Sequence, residues 1–151
     1  MPQSLARMLV DILFSTKHRE PLLRDPEMRA RMHAYLAQIC NDSDSHARAV
    51  GGVADHVHIL CDLSRTRSIA DLVGEIKRNS SKWIKSQGRE WAAFSWQNGY
   101  GAFSVSQSQS VHAMTYVREQ EQHHARRTFQ EELRELLKKH EIEFDERYVW
   151  D

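Results

Sequence analysis

The sequence predicts an α+β fold built on one antiparallel sheet. Three observations carry this. Short apolar runs of β-compatible residues are separated by two capped stretches of helical period. The run Asp55-His56-Val57-His58-Ile59-Leu60-Cys61 has the two-residue alternation of a strand. From Ser110 the period becomes helical again and stays so into the C-terminal region. The order strand, helix, strand, strand, helix, strand is the split βαβ or ferredoxin-like arrangement, here with helices on one face of the sheet and extra C-terminal helices.

Residues 6–16 are apolar and give the first strand, which leaves the sheet at Lys17-His18-Arg19-Glu20-Pro21. Asp25 before Pro26 is a helix start, and Met28, Met32, Tyr35, Leu36 and Ile39 recur at helical spacing to about Cys40-Asn41. Residues 46–53 form a second strand ending in Gly51-Gly52, joined to the histidine strand by a tight hairpin or a bulge. Ser68-Ile69-Ala70-Asp71 caps a second helix whose stripe is Ile69, Leu72, Val73, Ile76, Trp83 and Ile84. Residues 94–106, with Gln97-Asn98-Gly99-Tyr100-Gly101 between two apolar pieces, form a hairpin or one strongly bent strand. A third helix runs from Ser110 to His124, and a fourth, about Phe129 to Lys139, presents Phe129, Leu133, Leu136 and Leu137.

At 151 residues the chain is expected to form one domain, 1–151. Hydrophobic residues at 40% and charged residues at 28% fit an ordinary globular protein, and no apolar run approaches the length that spans a bilayer, so no membrane partner is expected. Two cysteines are too few for a disulfide framework, Met1-Pro2-Gln3-Ser4-Leu5 has no export signature, and a cytoplasmic location follows as the expectation. The formal net charge of zero hides a polarity. Between Arg65 and Arg89 seven basic residues (Arg65, Arg67, Lys77, Arg78, Lys82, Lys85, Arg89) face two acidic ones, whereas from Glu119 to Asp151 ten acidic residues outnumber six basic. The basic middle is where an anionic partner would sit.

His56 and His58 point the same way from their strand, about 7 Å apart, and so offer half of a divalent-metal site. On the third helix Tyr116 and Gln120 stand one turn apart on one face, which His124 continues. Two imidazoles and one oxygen suit a hard divalent ion with positions left for a phosphate. Tyr116 then becomes a nucleophile, because a phenol of pKa near 10 cleaves a phosphate ester only with the phosphoryl oxygen polarised and the scissile bond held in line. Tyr100 and Tyr148 are rival tyrosines, but a glycine-rich turn and an acidic tail suit packing better. His123 and His124 are expected to be solvated or to touch phosphates.

Taken in order, Gly51-Gly52, Asp55 to Leu60, Ile69 to Ile84 with Lys77-Arg78, Trp96 to Val105, and Tyr116-Val117-Arg118-Glu119-Gln120 with His123-His124 resemble the single-tyrosine HUH transposases of the insertion sequence 200/605 class. The resemblance runs nearly end to end and takes in Lys17 to Leu23 and Asp145 to Trp150. It implies a ferredoxin-like or RRM-like fold, a homodimer, and Mg²⁺- or Mn²⁺-dependent cleavage and rejoining of single-stranded DNA beside hairpins. By the same resemblance His56, His58 and Gln120 are the metal ligands and Tyr116 forms a 5′-phosphotyrosine. Lys17, Arg19, Arg65, Arg67, Lys77, Arg78, Lys82 and Lys85 are the expected DNA contacts, and the tyrosine helix and the histidines need not belong to one chain. Glu119 replaces a small amide found in many relatives and could compete for the metal. The rival readings are a non-catalytic single-strand-binding module, which lacks the aromatic signature of such sheets, a small metal-dependent phosphodiesterase, whose histidine-triad form lacks its third histidine at Leu60, and a domesticated relative that nicks repeat hairpins.

Overall fold

The computed structural model describes residues 3–150; Met1, Pro2 and Asp151, the ends of the expected single domain and the start of the N-terminus read above, lie outside them. Strands β1 (Leu9–Ser15), β2 (Ala47–Gly52), β3 (His56–Asp62) and β4 (Gly101–Ser104) form one antiparallel sheet in the order β2-β3-β1-β4. Helices α1 (Pro26–Asp42) and α2 (Ile69–Lys85) supply the two crossovers of the split βαβ arrangement. Their starts are those the sequence marks, since the Asp25 side chain accepts from Glu27 N and the Ser68 side chain from Asp71 N.

Strand alternation sorts the side chains. From β1, Ile12 and Phe14, and from β3, Val57, Ile59 and Cys61, enter the apolar core under α1 and α2, together with Met32, Leu36, Leu72 and Ile76. Cys40 and Cys61 lie in that core as free thiols.

The other face is covered too, which the sequence left open. Helix α3 (Ser110–Arg118) brings Val117 against Leu9, Ala49 and Leu60, and α5 (Phe129–Lys139) brings Phe129, Leu133 and Leu137 against Leu13 and Phe103. The third helix expected from 110 to 124 is broken at Glu119 (φ −100°, ψ 30°) into α3 and α4 (Gln120–His124). Residues 94–106 follow the bent-strand alternative. Trp96 bridges to Thr16, just past the end of β1, and β4 pairs with Val10 to Leu13 of β1. Between them the backbone leaves the sheet, and Lys77 Nζ collects the carbonyl oxygens of Gln97, Asn98 and Gly99 at 2.8, 3.3 and 2.5 Å. A side chain thus satisfies acceptors that a regular ladder would have paired.

Candidate active site

The site lies on the α3/α5 face, where β3 presents His56 and His58, both fully buried, with ring centroids 5.8 Å apart. Each imidazole has its Nδ1 held by a carboxylate. His56 Nδ1 meets Asp55 Oδ1 at 2.7 Å and His58 Nδ1 meets Asp11 Oδ1 at 3.1 Å. Asp11 reaches His58 because it faces the same side of β1 as Leu9 and Leu13. Such outer carboxylates fix the ring orientation and turn both Nε2 atoms toward one space, as metal-ligating histidines require.

That space is closed by side chains from the C-terminal helices. Glu132 of α5 is fully buried, and its Oε1 lies 2.6 Å from His58 Nε2. Its Oε2 accepts a short hydrogen bond from the Tyr116 hydroxyl and lies 3.3 Å from His124 Nε2. Gln120 points its Oε1 at His56 Nε2 (3.4 Å) while its amide nitrogen donates to the Tyr116 carbonyl (3.1 Å), and His124 Nε2 is 3.0 Å from His56 Nε2. Arg127, between α4 and α5, donates from Nη2 to the Tyr116 oxygen at 2.8 Å.

The electrostatics follow from this crowding. Burial pulls His58 down, but the charges and hydrogen bonds of Asp11 and Glu132 outweigh it and raise its pKa to about 10. His56 is lowered, chiefly by burial. Glu132 would be raised by burial, yet the hydrogen bonds from His124 and His58 hold it well below the usual carboxylate range. Burial and the Glu132 carboxylate push the Tyr116 phenol up, against the pull of Arg127. Asp11 and Glu132 therefore favour the protonated form of His58, and a metal held here would compete with that proton. The donor set fits a divalent cation. One ligand atom each from His56, His58 and Glu132 lies within 4.8 Å of the others, and Gln120 adds an amide oxygen at the rim of the cluster.

Glycine holds the tyrosine helix this close. A Cβ on Gly51 would sit 1.9 Å from the Val117 carbonyl oxygen, so only a bare backbone lets α3 lie on β2. The break at Glu119 then turns Gln120 and His124 inward while Glu119 itself stays exposed. His124 overturns its solvated reading, since its side chain is 8% exposed and points into the site. His123 packs on the Tyr116 ring, centroids 4.4 Å apart.

The structure brings Tyr116, His56, His58 and Gln120 together within one chain and adds Glu132, Asp11, Asp55, His124 and Arg127. Two of the additions had a sequence signal. Asp11 interrupts an apolar strand, and Glu132 falls three residues after Phe129 and four before Leu136, on the apolar stripe of its helix. The expected DNA contacts divide. Arg19, with Lys17 in the turn after β1, faces the Gln130 side-chain amide of α5 at 3.1 Å. Arg65 is exposed before α2, and Arg67 is ion-paired with Glu75. Arg78, Lys82 and Lys85 are exposed on α2, across the sheet from Tyr116. Lys77 is committed to the 97–99 carbonyls, and burial lowers its pKa to about 8. Tyr100 stands beside Lys77, and Tyr148 is 70% exposed under Arg147.

The family model described as "Transposase IS200 like" matches residues 4–120. No curated protein matches the chain. Among solved structures, a putative transposase from Deinococcus radiodurans R1 is 21% identical with a TM-score of 0.61, over 78% of this chain and 95% of that one. A REP-associated tyrosine transposase bound to a REP hairpin is 12% identical with a TM-score of 0.54, over 78% of this chain and 68% of that one. Both share the fold. The family match spans the whole sheet, both histidines, Tyr116 and Gln120, and stops before α5 and Glu132: the chain belongs to the IS200-like transposase family.

Proposed function

We propose that this transposase cleaves and rejoins single-stranded DNA through Tyr116. The observation that carries the reading is the Tyr116 hydroxyl and the His58 Nε2 sharing one buried carboxylate, Glu132, so that nucleophile and metal-ligand atoms face the same few ångströms of space. His56 and His58, with Gln120 or Glu132, would hold a Mg²⁺ or Mn²⁺ ion, whose chemistry is to polarise a phosphoryl oxygen. Asp55 and Asp11 keep the two imidazoles oriented. Glu132 Oε2 and Arg127 fix the phenolic oxygen from two sides. As the Tyr116 oxygen bonds to phosphorus, the P–O3′ bond breaks. The phenol gives up its proton and the departing 3′ oxygen takes one, leaving a 5′-phosphotyrosine and a free 3′ hydroxyl. The reverse attack by a 3′ hydroxyl rejoins a strand without an external energy source.

The substrate in this reading is single-stranded DNA beside hairpins, and the working form is a homodimer. A second reading, nicking of repeated chromosomal hairpins by a domesticated copy, draws on the fold shared with the hairpin-bound REP-associated transposase. The test mixes the protein with single-stranded oligonucleotides covering both flanks of its own gene, in Mg²⁺ or EDTA, on a denaturing gel. An adduct that needs the metal and vanishes in Tyr116→Phe is expected, with DNA retained in a native gel. An adduct that persists in Tyr116→Phe would overturn the nucleophile. The position of the cleaved strand relative to the element's ends separates the two readings.

A further inference from the structure

The loop joining α4 to α5 sets a guanidinium on the atom that reacts. Arg127 Nη2 donates to the Tyr116 oxygen at 2.8 Å and lies 3.9 Å from Glu132 Oε2, while Nη1 is paired with Glu135. Its side chain is 29% exposed, enough to be reached from solvent. Arg127 also borders two clefts. One, of about 500 Å³, runs between β4, α3 and α5 and contains Tyr116, His112 and Lys139. The other, of about 610 Å³, runs between α1, the β2–β3 turn and α4 and contains Arg29, Asp55 and His124. Arg127 is thus a wall of both clefts, and the Tyr116 hydroxyl it holds lies in the first.

We propose that Arg127 is a catalytic residue which grips the non-bridging oxygens of the scissile phosphodiester and holds the phosphorus against Tyr116. This rests on the phosphotyrosine reading above. A guanidinium suits the task because it stays charged and offers a planar fork of N–H donors matched to two phosphate oxygens. The Glu135 pair anchors one edge of that fork, so the edge at Tyr116 is presented in a fixed direction. Negative charge on the non-bridging oxygens grows as the Tyr116 Oη–P bond forms and the P–O3′ bond breaks. Arg127 gives up no proton in this step and only neutralises that charge. The residue lies beyond position 120, where the family match ends, as does Glu132.

The test uses the full-length protein and the flank oligonucleotide that it cleaves, made with either the natural diester or a neutral methylphosphonate at the cleaved linkage. Arg127→Gln should slow adduct formation on the diester about 100-fold, mostly in kcat, while leaving the methylphosphonate within about threefold of the unaltered protein, because that linkage has no charge for Arg127 to hold. Arg127→Lys, which keeps a charge without the fork, should fall between the two on the diester and serves if the glutamine variant does not fold by circular dichroism. Equal losses on both linkages would make Arg127 a structural residue and overturn the proposal, as would no loss on either. No adduct from the unaltered protein on any flank oligonucleotide would overturn the phosphotyrosine reading itself, and this proposal with it.

Discussion

One strand of this molecule serves two opposed environments. On the α1/α2 side, Val57, Ile59 and Cys61 of β3 pack in the apolar core. One residue away on the α3/α5 side, His56 and His58 are as deeply buried, yet every partner named for them is polar or aromatic. Burying imidazoles and carboxylates costs stability unless each group finds a partner. Here the partners are one another, a closed network from Asp11 through His58 and Glu132 to Tyr116. The apolar side can stabilise the sheet without regard to chemistry, which lets the other side be arranged for reaction.

Neighbouring substitutions on β3 break this comparison most directly. His58→Ala should abolish metal-dependent adduct formation, a loss of about 1,000-fold or more, with the sheet still folded. Ile59→Ala should instead cost about 2–5 kcal/mol in urea unfolding, with adduct yield per folded molecule nearly unchanged. If both variants lost stability and activity alike, the two faces would not be separable. Next in size, Gly51→Ala forces α3 off β2 and should cost about 1–3 kcal/mol together with most of the adduct, because Tyr116 rides on that helix. Retained activity would show that α3 can yield.

The pH dependence sharpens the comparison. In EDTA, His58, raised to about 10 from an unfolded value near 6.5, contributes stability that is complete below pH 6.5 and is lost as pH rises through 10. The slope is at most about 1.4 kcal/mol per pH unit. Glu132, with its pKa depressed, contributes the opposite way: its stabilisation is present above its unfolded value and fades as pH falls. Thermal melts of the metal-free protein should therefore fall on the alkaline side, and His58→Ala should flatten that limb. The smallest effect belongs to the far side of the sheet. Lys82→Gln should weaken single-strand binding only a fewfold and reduce the salt dependence of binding by about one charge's worth, with the rate of adduct formation on bound DNA unchanged.

The parts of the molecule that depend on near neighbours were readable in the sequence. The caps at Asp25 and Ser68, the shared direction of His56 and His58, and the Tyr116–Gln120 turn all follow from spacings of at most four residues. The parts that were not readable depend on distant encounters. Glu132 meets His58 across 74 residues and Asp11 meets it across 47. Each is a polar residue within an apolar pattern, a sign that the sequence reading passed over and that would not have said what it faces. The continuous helix expected to His124 ends at Glu119 because the Gln120 side chain, turned inward, donates to the Tyr116 carbonyl. The sheet face that the split βαβ order leaves without a helix is covered because Leu13 and Phe103 give α5 an apolar seat beside the polar cluster.

The bare backbone at Gly51 reaches beyond the folded molecule. Every missense change at that codon adds at least one carbon where the Val117 carbonyl already stands, so the position tolerates no drift while the tyrosine helix is in use. In a genome carrying several copies of this gene, a copy with any other letter at position 51 should be one that no longer reacts, whatever the state of its Tyr116 and His58.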